Sequence, residues 1–313
     1  MSTEEHPETW PLVRRIVPLE EHTVGRRFDH HWGRTLLAAE SFAFSTQMLA
    51  FQPIYFNEEA AQAAGHEHCP IHPMLVFGTV FGLSVEDLSE SGGAFLGAED
   101  VEFLTDVQPG DTLYASSVVI DARTSDSRPG KGIVTWETTG RDQHGTEVLR
   151  YRRTNIISSG FPEGSIPAPE GYAEDFEIGL RMRHSRSRTV GDLDMNGFTL
   201  TVMNTASGHF SEGEMADKEF GQRINFGGLS LSLVVGLATQ DTAGQLVREL
   251  GLTAVSFTRP VVAGDTLWAA TEVLSVTPAE EGTSVVRFRH HGYNQRDEIV
   301  CRAERTALVR NRP

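Results

Sequence analysis

The sequence predicts an α+β protein made of two similar halves, in each of which an antiparallel sheet wraps a central buried helix. Three observations support this: an internal repeat, a proline- and glycine-rich segment between the halves, and the same order of helices and strands in both. The repeat is the strongest of the three. VQPGDTLYASSVVI at 107–120 matches VVAGDTLWAATEVL at 261–274, a shift of 154 residues. Such self-similarity is the signature of a duplicated structural unit.

The same shift relates identical residues along most of both halves, for example Gly25 and Gly179, Arg34 and Arg188, Phe56 and Phe210, and Gly82 and Gly236. Near the end the shift becomes 152 residues and pairs Gly140 with Gly292 and Arg150 with Arg302. A two-residue loop difference around SRPGKG at 127–132 accounts for the change. An offset this constant indicates that the chain arose by duplication.

Each half begins with an extended segment, which is followed by an apolar helix, a polar turn and a short Ala/Glu-rich helix. A second apolar helix comes next, and HPMLVFGTVFGLSVEDL at 72–88 is apolar on nearly every face, so we expect it to be buried all round. The remainder of each half reads as long strands. A buried helix wrapped by antiparallel strands is the hotdog arrangement, and the sequence therefore predicts a tandem (double) hotdog fold.

The repeat also gives the domain boundaries. We expect an N-terminal hotdog at residues 1–160, a linker at 161–175 and a C-terminal hotdog at 176–313. The segment SSGFPEGSIPAPEGYAED at 158–175 carries prolines and glycines that cannot sustain a helix or a central strand.

Composition limits the partners of the protein. The net charge is −16, from 27 basic and 43 acidic residues, so the surface repels nucleic acid and anionic membranes, and neither is expected as a partner. The longest apolar stretches, near 72–83 and 229–239, are too short to span a bilayer. Two cysteines, Cys69 and Cys301, and a start without an apolar signal core favour the cytoplasm.

Residues 204–237 contain the candidate active site. A polar pair, Asn204 and His209, precedes a short polar helix, and Gly227 and Gly228 then open a buried apolar helix. A histidine exchanges protons near neutral pH, and a helix N-terminus offers free N–H groups to a developing negative charge. Glycines let a ligand approach those N–H groups closely, because they lack a Cβ. Arg223, just before the helix, is expected to grip a substrate carboxylate or phosphate.

The first half provides an internal control for this site. At the equivalent positions Asn204 becomes Ala50, His209 becomes Tyr55 and Gly227 becomes Pro73. Alanine has no polar group, tyrosine is a poor base at neutral pH, and proline has no N–H to donate. We therefore expect the first half to be structural or to shape an acyl pocket, and the second half to be catalytic.

The run HEHCPIH at 66–72 raises the question of a metal site. Its spacing is not that of a zinc motif, and four ligands so close in sequence are difficult to arrange tetrahedrally. The equivalent stretch, FGQRINF at 220–226, has none of these residue types. Neither a metal nor a nucleotide cofactor is expected, since the chain also lacks a glycine-rich dinucleotide fingerprint.

The site residues resemble the MaoC-like hydratase/dehydratase family in its double-hotdog form, and within it most closely the mesaconyl-CoA hydratases. The matching residues are Asn204-Thr205-Ala206, His209-Phe210, Gly227-Gly228 and Ala263-Gly264-Asp265-Thr266. The resemblance implies reversible addition of water to an enoyl-CoA thioester, with coenzyme A entering only as part of the substrate. It also implies a homo-oligomer of such tandem units.

The resemblance gives His209 the proton transfer. Most of the wider family carries aspartate where this chain has Asn204, and an amide cannot take a proton from water. Asn204 is therefore expected to orient water or substrate, and the sequence does not say whether a carboxylate assists His209.

Three alternatives stay open at the level of sequence. The chain could be an (R)-specific enoyl-CoA hydratase of broader acyl range, an acyl-CoA thioesterase, or a non-catalytic acyl-CoA-binding protein. The sequence does not fix the acyl chain, the stereochemistry or the physiological direction.

Overall fold

The structure is a computed structural model that describes residues 7–15, 17–90, 93–280 and 282–313. The chain divides into two compact units. The N-terminal unit is Arg15–Pro162, and the C-terminal unit is Glu163–Pro313 together with the chain up to Arg14. None of the helices described is long and apolar enough to cross a membrane.

A short strand, β1 (Leu12–Arg14), opens the described chain and belongs to the C-terminal unit. The N-terminal unit then contains four helices and five strands: β2 (Arg27–Thr35), α1 (Ala38–Gln47), α2 (Glu58–Ala63), α3 (Pro73–Leu83), α4 (Val85–Leu88), β3 (Phe95–Phe103), β4 (Thr112–Thr124), β5 (Lys131–Arg141) and β6 (Glu147–Ser158). Its antiparallel sheet has the order β2-β4-β5-β6-β3.

The central helix α3 packs directly on this sheet. Val76 and Val80 of the helix share a core with Leu113 and Leu149 of the strands. A Cβ added at Gly140 of β5 would lie 2.6 Å from the Val80 side chain. Glycine is therefore required there for the helix to reach the sheet, which explains one of the residues that the two halves share.

The C-terminal unit repeats this plan with a longer central helix. Its elements are β7 (Ser165–Pro167), β8 (Arg181–Thr189), α5 (Asp192–Thr201), α6 (Glu212–Met215), α7 (Gly227–Thr242), β9 (Leu246–Phe257), β10 (Thr266–Pro278), β11 (Thr283–Tyr293) and β12 (Ile299–Arg310). The sheet order is β7-β1-β8-β10-β11-β12-β9, so strands β8 to β9 reproduce the order of the N-terminal unit. Both units have the predicted hotdog architecture.

Two predicted boundaries are wrong, and strand pairing is the reason. β1 pairs in parallel with β7 and with β8, so the first described residues lie in the sheet of the C-terminal unit and not in a domain of residues 1–160. The predicted linker at 161–175 contains β7, and Ala173 is buried in the core of the same unit. A parallel pairing of three-residue strands that are far apart in sequence leaves no periodic pattern to read.

A set of hydrogen bonds through a histidine ties a helix to the sheet in both units, and in the C-terminal unit it is fully buried. In the C-terminal unit His184 Nδ1 lies 2.7 Å from Asp241 Oδ2, and His184 Nε2 lies 2.6 Å from the Thr271 hydroxyl. The N-terminal unit has the same set of hydrogen bonds at the matching residues His30, Asp87 and Ser117. Because both units have these hydrogen bonds, we assign them a role in stabilising the fold.

Candidate active site

The turn after α5 holds the first predicted site residue, Asn204. Met203 has a φ of 57°, which bends the chain sharply, and the Asn204 N–H then donates to the Thr199 carbonyl at 3.0 Å. The Asn204 Oδ1 accepts from the Ala206 N–H at 3.0 Å. This local turn uses one of the two lone pairs of the amide oxygen and leaves the NH₂ group of Asn204 as a donor to a ligand.

His209 closes the short 3₁₀ turn Ser207–His209 that follows. Its Nδ1 lies 3.0 Å from the carbonyl oxygen of Ile224. A carbonyl oxygen only accepts, so Nδ1 carries the hydrogen and Nε2 of the neutral ring holds a free lone pair. The half-buried imidazole also packs against the Phe226 ring, with 5.5 Å between the ring centroids. The geometry therefore presents Nε2 as a base.

Backbone contacts hold this turn beside the start of the central helix. The Ile224 N–H donates to the Gly208 carbonyl at 3.2 Å, and the next residue, Asn225, donates its N–H to Val261 at 2.6 Å. α7 begins at Gly227, directly after Phe226. The structure thus brings His209 to the N-terminus of α7, as the sequence predicts.

The N-terminus of α7 is open. Its N-cap residue, Phe226, has an extended conformation, and no side chain caps the helix. The first helical amide to find a backbone acceptor is that of Leu229, which donates to the Phe226 carbonyl at 2.9 Å. The N–H groups of Gly227 and Gly228 precede it and have no acceptor within the helix, so they can serve a ligand.

The N-terminus of α3 in the other unit is closed at the same place. Pro73 supplies no N–H, and the His72 Nδ1 accepts from the Met74 N–H at 3.1 Å. The Tyr55 ring, which stands where His209 stands in the C-terminal unit, packs on His72 with 4.7 Å between centroids. The start of α7 therefore offers free N–H groups to an oxyanion, and the start of α3 does not.

The surroundings of residues 227 and 228 give a second explanation for glycine at these positions, which the sequence alone did not indicate. A Cβ at Gly227 would lie 3.0 Å from the Phe257 ring, and a Cβ at Gly228 would collide with the Phe226 ring. Phe198 stands 6.1 Å from Phe226, between centroids. A Cβ at either position would thus meet an aromatic ring, and glycine gives these rings room beside the helix start.

Arg223 does not have the role predicted for it. Its Nε donates to Glu212 at 2.6 Å, its Nη1 to Asn196 at 2.8 Å, and its Nη2 to Asp192. The hydrogen bond to Glu212 is the main cause that raises the pKa of Arg223. All three nitrogens are engaged, so the guanidinium ties α5 to α6. These carboxylates lie 11 and 31 residues away in sequence, and only the fold brings them to it.

Sequence reasoning missed a buried polar pair under the first turn of α7. Asn225 Nδ2 donates to Ser230 Oγ at 2.8 Å, and both side chains are buried. The Asn225 Oδ1 has no hydrogen-bond partner among the residues that the structure describes. The equivalent residues of the N-terminal unit, Ile71 and Val76, belong to its apolar core.

These two pairs occupy the positions, just before the N-cap and four residues into the helix, that often carry an apolar contact called a hydrophobic staple. The repeat alignment contained the signal, since isoleucine and valine in one half stand where asparagine and serine stand in the other. The polar pair is thus confined to the unit with the open helix.

A cleft of about 870 Å³ opens elsewhere in the C-terminal unit. A Cβ at Gly292 would collide with Val234 of α7, so its neighbours His291 and Tyr293, which line the cleft, face the other side of the sheet. Its wall contains three arginines, Arg181, Arg259 and Arg302. It also contains four carboxylates, Glu8, Glu272, Asp297 and Glu298, so positive charge does not predominate. None of the predicted site residues lines it, and its charge does not favour an anionic ligand.

The histidines of HEHCPIH have separate surroundings. His72 caps α3, and His68 Nδ1 lies 3.6 Å from Glu58 on the surface. Within the residues that the structure describes, no group of three or more His, Cys, Asp or Glu side chains is placed to hold a metal ion.

Comparison with known proteins gives consistent matches. A family model described as mesaconyl-CoA hydratase matches residues 15–166 and again residues 165–311. The mesaconyl-CoA hydratase of Haloarcula marismortui is 35% identical over 320 residues, which cover 92% of this chain and 87% of that protein. The beta-methylmalyl-CoA dehydratase of Chloroflexus aurantiacus is 28% identical over 86% of both chains. A solved MaoC domain protein dehydratase from C. aurantiacus aligns over 100% of both chains, with 24% identity and a TM-score of 0.44.

Proposed function

Because the chain belongs to the mesaconyl-CoA hydratase family, and is thus a hydratase/dehydratase of coenzyme A thioesters, we propose that mesaconyl-CoA is its substrate and His209 its catalytic base. The names of two relatives describe the two directions of one reaction, since adding water to mesaconyl-CoA gives β-methylmalyl-CoA. One observation carries the proposal. In the C-terminal unit an imidazole whose Nδ1 carries the hydrogen, and whose Nε2 is free, lies beside a helix N-terminus without a side-chain cap.

The reaction begins with water at the carbon β to the thioester. His209 Nε2 takes a proton from the water as its oxygen bonds to that carbon, and Nδ1–H keeps its bond to the Ile224 carbonyl. The electron pair of the C=C bond moves to the α carbon and the thioester oxygen. The imidazolium then returns the proton to the α carbon, which restores neutral His209.

Negative charge on the thioester oxygen is the main electrostatic demand of this path. The N–H groups of Gly227 and Gly228 and the dipole of the 16-residue α7 are placed to stabilise it. The aromatic rings of Phe226 and Phe257 lie beside these glycines and give the proposed position of the thioester oxygen an apolar border. Asn204 contributes the NH₂ group that its local turn leaves available, and we assign it the orientation of water or substrate.

The N-terminal unit takes no part in the proton transfer on this account. Tyr55, Pro73 and the capped Met74 amide remove the base and both helix N–H donors from its equivalent site. We also place the reaction in the cytoplasm, which the free, buried thiols of Cys69 and Cys301 support.

A substrate panel tests the proposal. Mesaconyl-CoA, crotonyl-CoA and a longer enoyl-CoA are each followed by loss of enoyl absorbance and by thiol release in the same sample. We expect rapid loss of absorbance without thiol, with the highest kcat/KM for mesaconyl-CoA. Thiol release would make the protein a thioesterase, binding without turnover would leave only an acyl-CoA-binding role, and equal rates across the panel would indicate a broad hydratase.

A further inference from the structure

The N-terminal unit buries an arginine that lacks a counter-ion. Arg153 of β6 is 0% exposed, and among the residues that the structure describes only the Ser89 hydroxyl, 3.2 Å from Nη2, is a hydrogen-bond partner of its guanidinium. The Nε and Nη1 groups have none. The guanidinium lies 4.4 Å from the Phe81 ring centroid and 5.3 Å from that of Trp136. Aromatic faces thus provide most of its surroundings.

The charge of Arg153 persists in this environment. Burial lowers its pKa to about 10, which leaves the guanidinium protonated at neutral pH. In the part of the chain that the structure describes, its nitrogens make no ion pair with a carboxylate. An isolated charge in such a place is strongly unfavourable unless an opposite charge accompanies it.

The C-terminal unit provides hydrogen-bond partners for the arginine at this position. Its equivalent residue, Arg305, is also fully buried, and its Nε and Nη2 bind the Glu249 carboxylate at 2.6–3.0 Å. Its Nη1 donates to Thr242 at 3.1 Å. Glu249 lies on edge strand β9, opposite Ala307.

The N-terminal unit has lost that carboxylate. The residue equivalent to Glu249 is Phe95 of edge strand β3, which pairs with Asn155 as Glu249 pairs with Ala307. The Phe95 ring packs against Phe81, the same residue that covers the guanidinium. The two units therefore share the arginine, but one has a glutamate and the other a phenylalanine at the partner position.

Other polar groups without partners lie beside the arginine. Trp136 stands directly opposite Arg153 on β5, and its indole Nε1–H has no acceptor. Asn155, two residues along β6 and so on the same face, is 2% exposed and has an unpaired Oδ1. Three unpaired N–H-bearing nitrogens, on Arg153 and Trp136, form a set of donors that an anion satisfies.

We propose that Arg153 is the centre of a buried anion-binding site in the N-terminal unit, which takes chloride or a short carboxylate in place of the missing glutamate. The anion accepts from the Arg153 Nε and Nη1 groups and enters beside Phe95, which is half-exposed at the sheet edge. The site makes no use of His209 and stands whether or not the chain hydrates mesaconyl-CoA.

Thermal unfolding of the full chain tests the site. The protein is exchanged into a chloride-free buffer whose only anion is a bulky sulfonate, and chloride, formate, acetate or 2-methylfumarate is added at constant ionic strength. An anion that binds the folded state should raise the Tm in a saturable way, by about 5 °C or more at roughly 100 times its dissociation constant. The anion that acts at the lowest concentration identifies the source as halide or carboxylate.

Two variants and a matched control assign the effect to Arg153. Phe95→Glu supplies the carboxylate that the other unit has, so it should raise the Tm in anion-free buffer and abolish the response to added anion. Arg153→Met should also abolish the response, because it removes the charge. Glu249→Phe removes the carboxylate from Arg305 and should enlarge the response to anion.

A wild-type Tm that ignores every anion at constant ionic strength would overturn the proposal. So would a full anion response in Phe95→Glu, since that variant carries its own counter-ion. Because Phe95→Glu adds a charge pair and leaves Arg153 in place, the test holds even where Arg153→Met fails to fold.

Discussion

The proposed role of His209 depends on one backbone atom. The carbonyl oxygen of Ile224 accepts from Nδ1 and so leaves the Nε2 lone pair available for water. The Asn204 Oδ1 accepts from the Ala206 N–H and so helps to hold its own turn. On the proposed mechanism the imidazole moves the proton, and Asn204 donates a hydrogen bond.

Another histidine, His22, makes stability depend on pH. It is buried against Phe28 and Trp136, with centroids 5.5 and 5.4 Å away, and burial lowers its pKa from 6.5 to about 4. The unfolded chain binds a proton near pH 6.5 and the folded chain does not, so this contribution to stability is present above pH 6.5. It is lost as the pH falls from 6.5 towards 4.

We predict that His22→Phe raises the Tm more at pH 5 than at pH 8, because phenylalanine keeps the ring contacts and binds no proton. The measurement is the difference in Tm between variant and wild type at the two pH values. An increment that is the same at both would show that His22 is not titrating in this way.

The repeat singles out candidate site residues at positions where the two halves differ. Asn204, His209 and Gly227 were predicted because each differs in kind from its counterpart at a fixed offset, and Gly228 because it adjoins Gly227 at the start of the buried helix. The role of Arg223 was wrong because its partners, Asp192, Asn196 and Glu212, are brought to it by packing of helices that sequence spacing does not describe.

At the scale of elements, the central difference between the two units is the first turn of the buried helix. α7 begins with two glycines and no side-chain cap, whereas α3 begins with proline and is capped by His72. Both helices pack on their sheets in the same way, through Val234 on Gly292 and Val80 on Gly140. The two helices thus share the contacts that build the fold and differ in the first turn, where the proposed site lies.

Gly227→Pro tests the role of the helix N–H groups. Proline suits the first position of a helix, and the preceding Phe226 already has the extended conformation that a proline requires, with φ −61° and ψ 128°. We predict a folded protein whose kcat falls by roughly 10²–10³, the usual loss for one oxyanion donor.

Gly227→Ala is the matched control, because it adds a Cβ near the Phe257 ring but keeps the N–H. Circular dichroism and steady-state hydration of mesaconyl-CoA are the measurements. If alanine and proline reduce kcat equally, the crowding of Phe257 is responsible and the N–H is not.

Replacing the polar pair Asn225 and Ser230 should raise stability and lower activity. The double variant Asn225→Ile/Ser230→Val installs the apolar residues found at these positions in the N-terminal unit. It removes a buried oxygen without a partner, which costs on the order of 1–3 kcal/mol. We expect the Tm to rise by a few degrees and kcat/KM to fall. Unchanged kcat/KM would make the pair an inert remnant.

At the scale of the whole molecule, the duplication explains both what was predictable and what was not. Residues that must be alike for both hotdogs to form, such as Gly140 and Gly292, appear as identities at a constant shift, so the fold class followed from sequence. The chain up to Arg14 joins the C-terminal unit through a parallel pairing of β1 with β7. Three-residue strands are too short for alternation to be recognised, so the boundaries of the two halves were misplaced.

The central claim is that only the later copy performs the chemistry, and truncating the same ring in each copy tests it most directly. The measurement is kcat/KM for hydration of mesaconyl-CoA by His209→Ala and by Tyr55→Ala, each checked for folding by its Tm. We predict that His209→Ala loses at least about a hundredfold, the scale of a general acid–base group, and that Tyr55→Ala stays within a few-fold of wild type. Comparable losses from the two variants, or an active His209→Ala, would contradict a single catalytic unit.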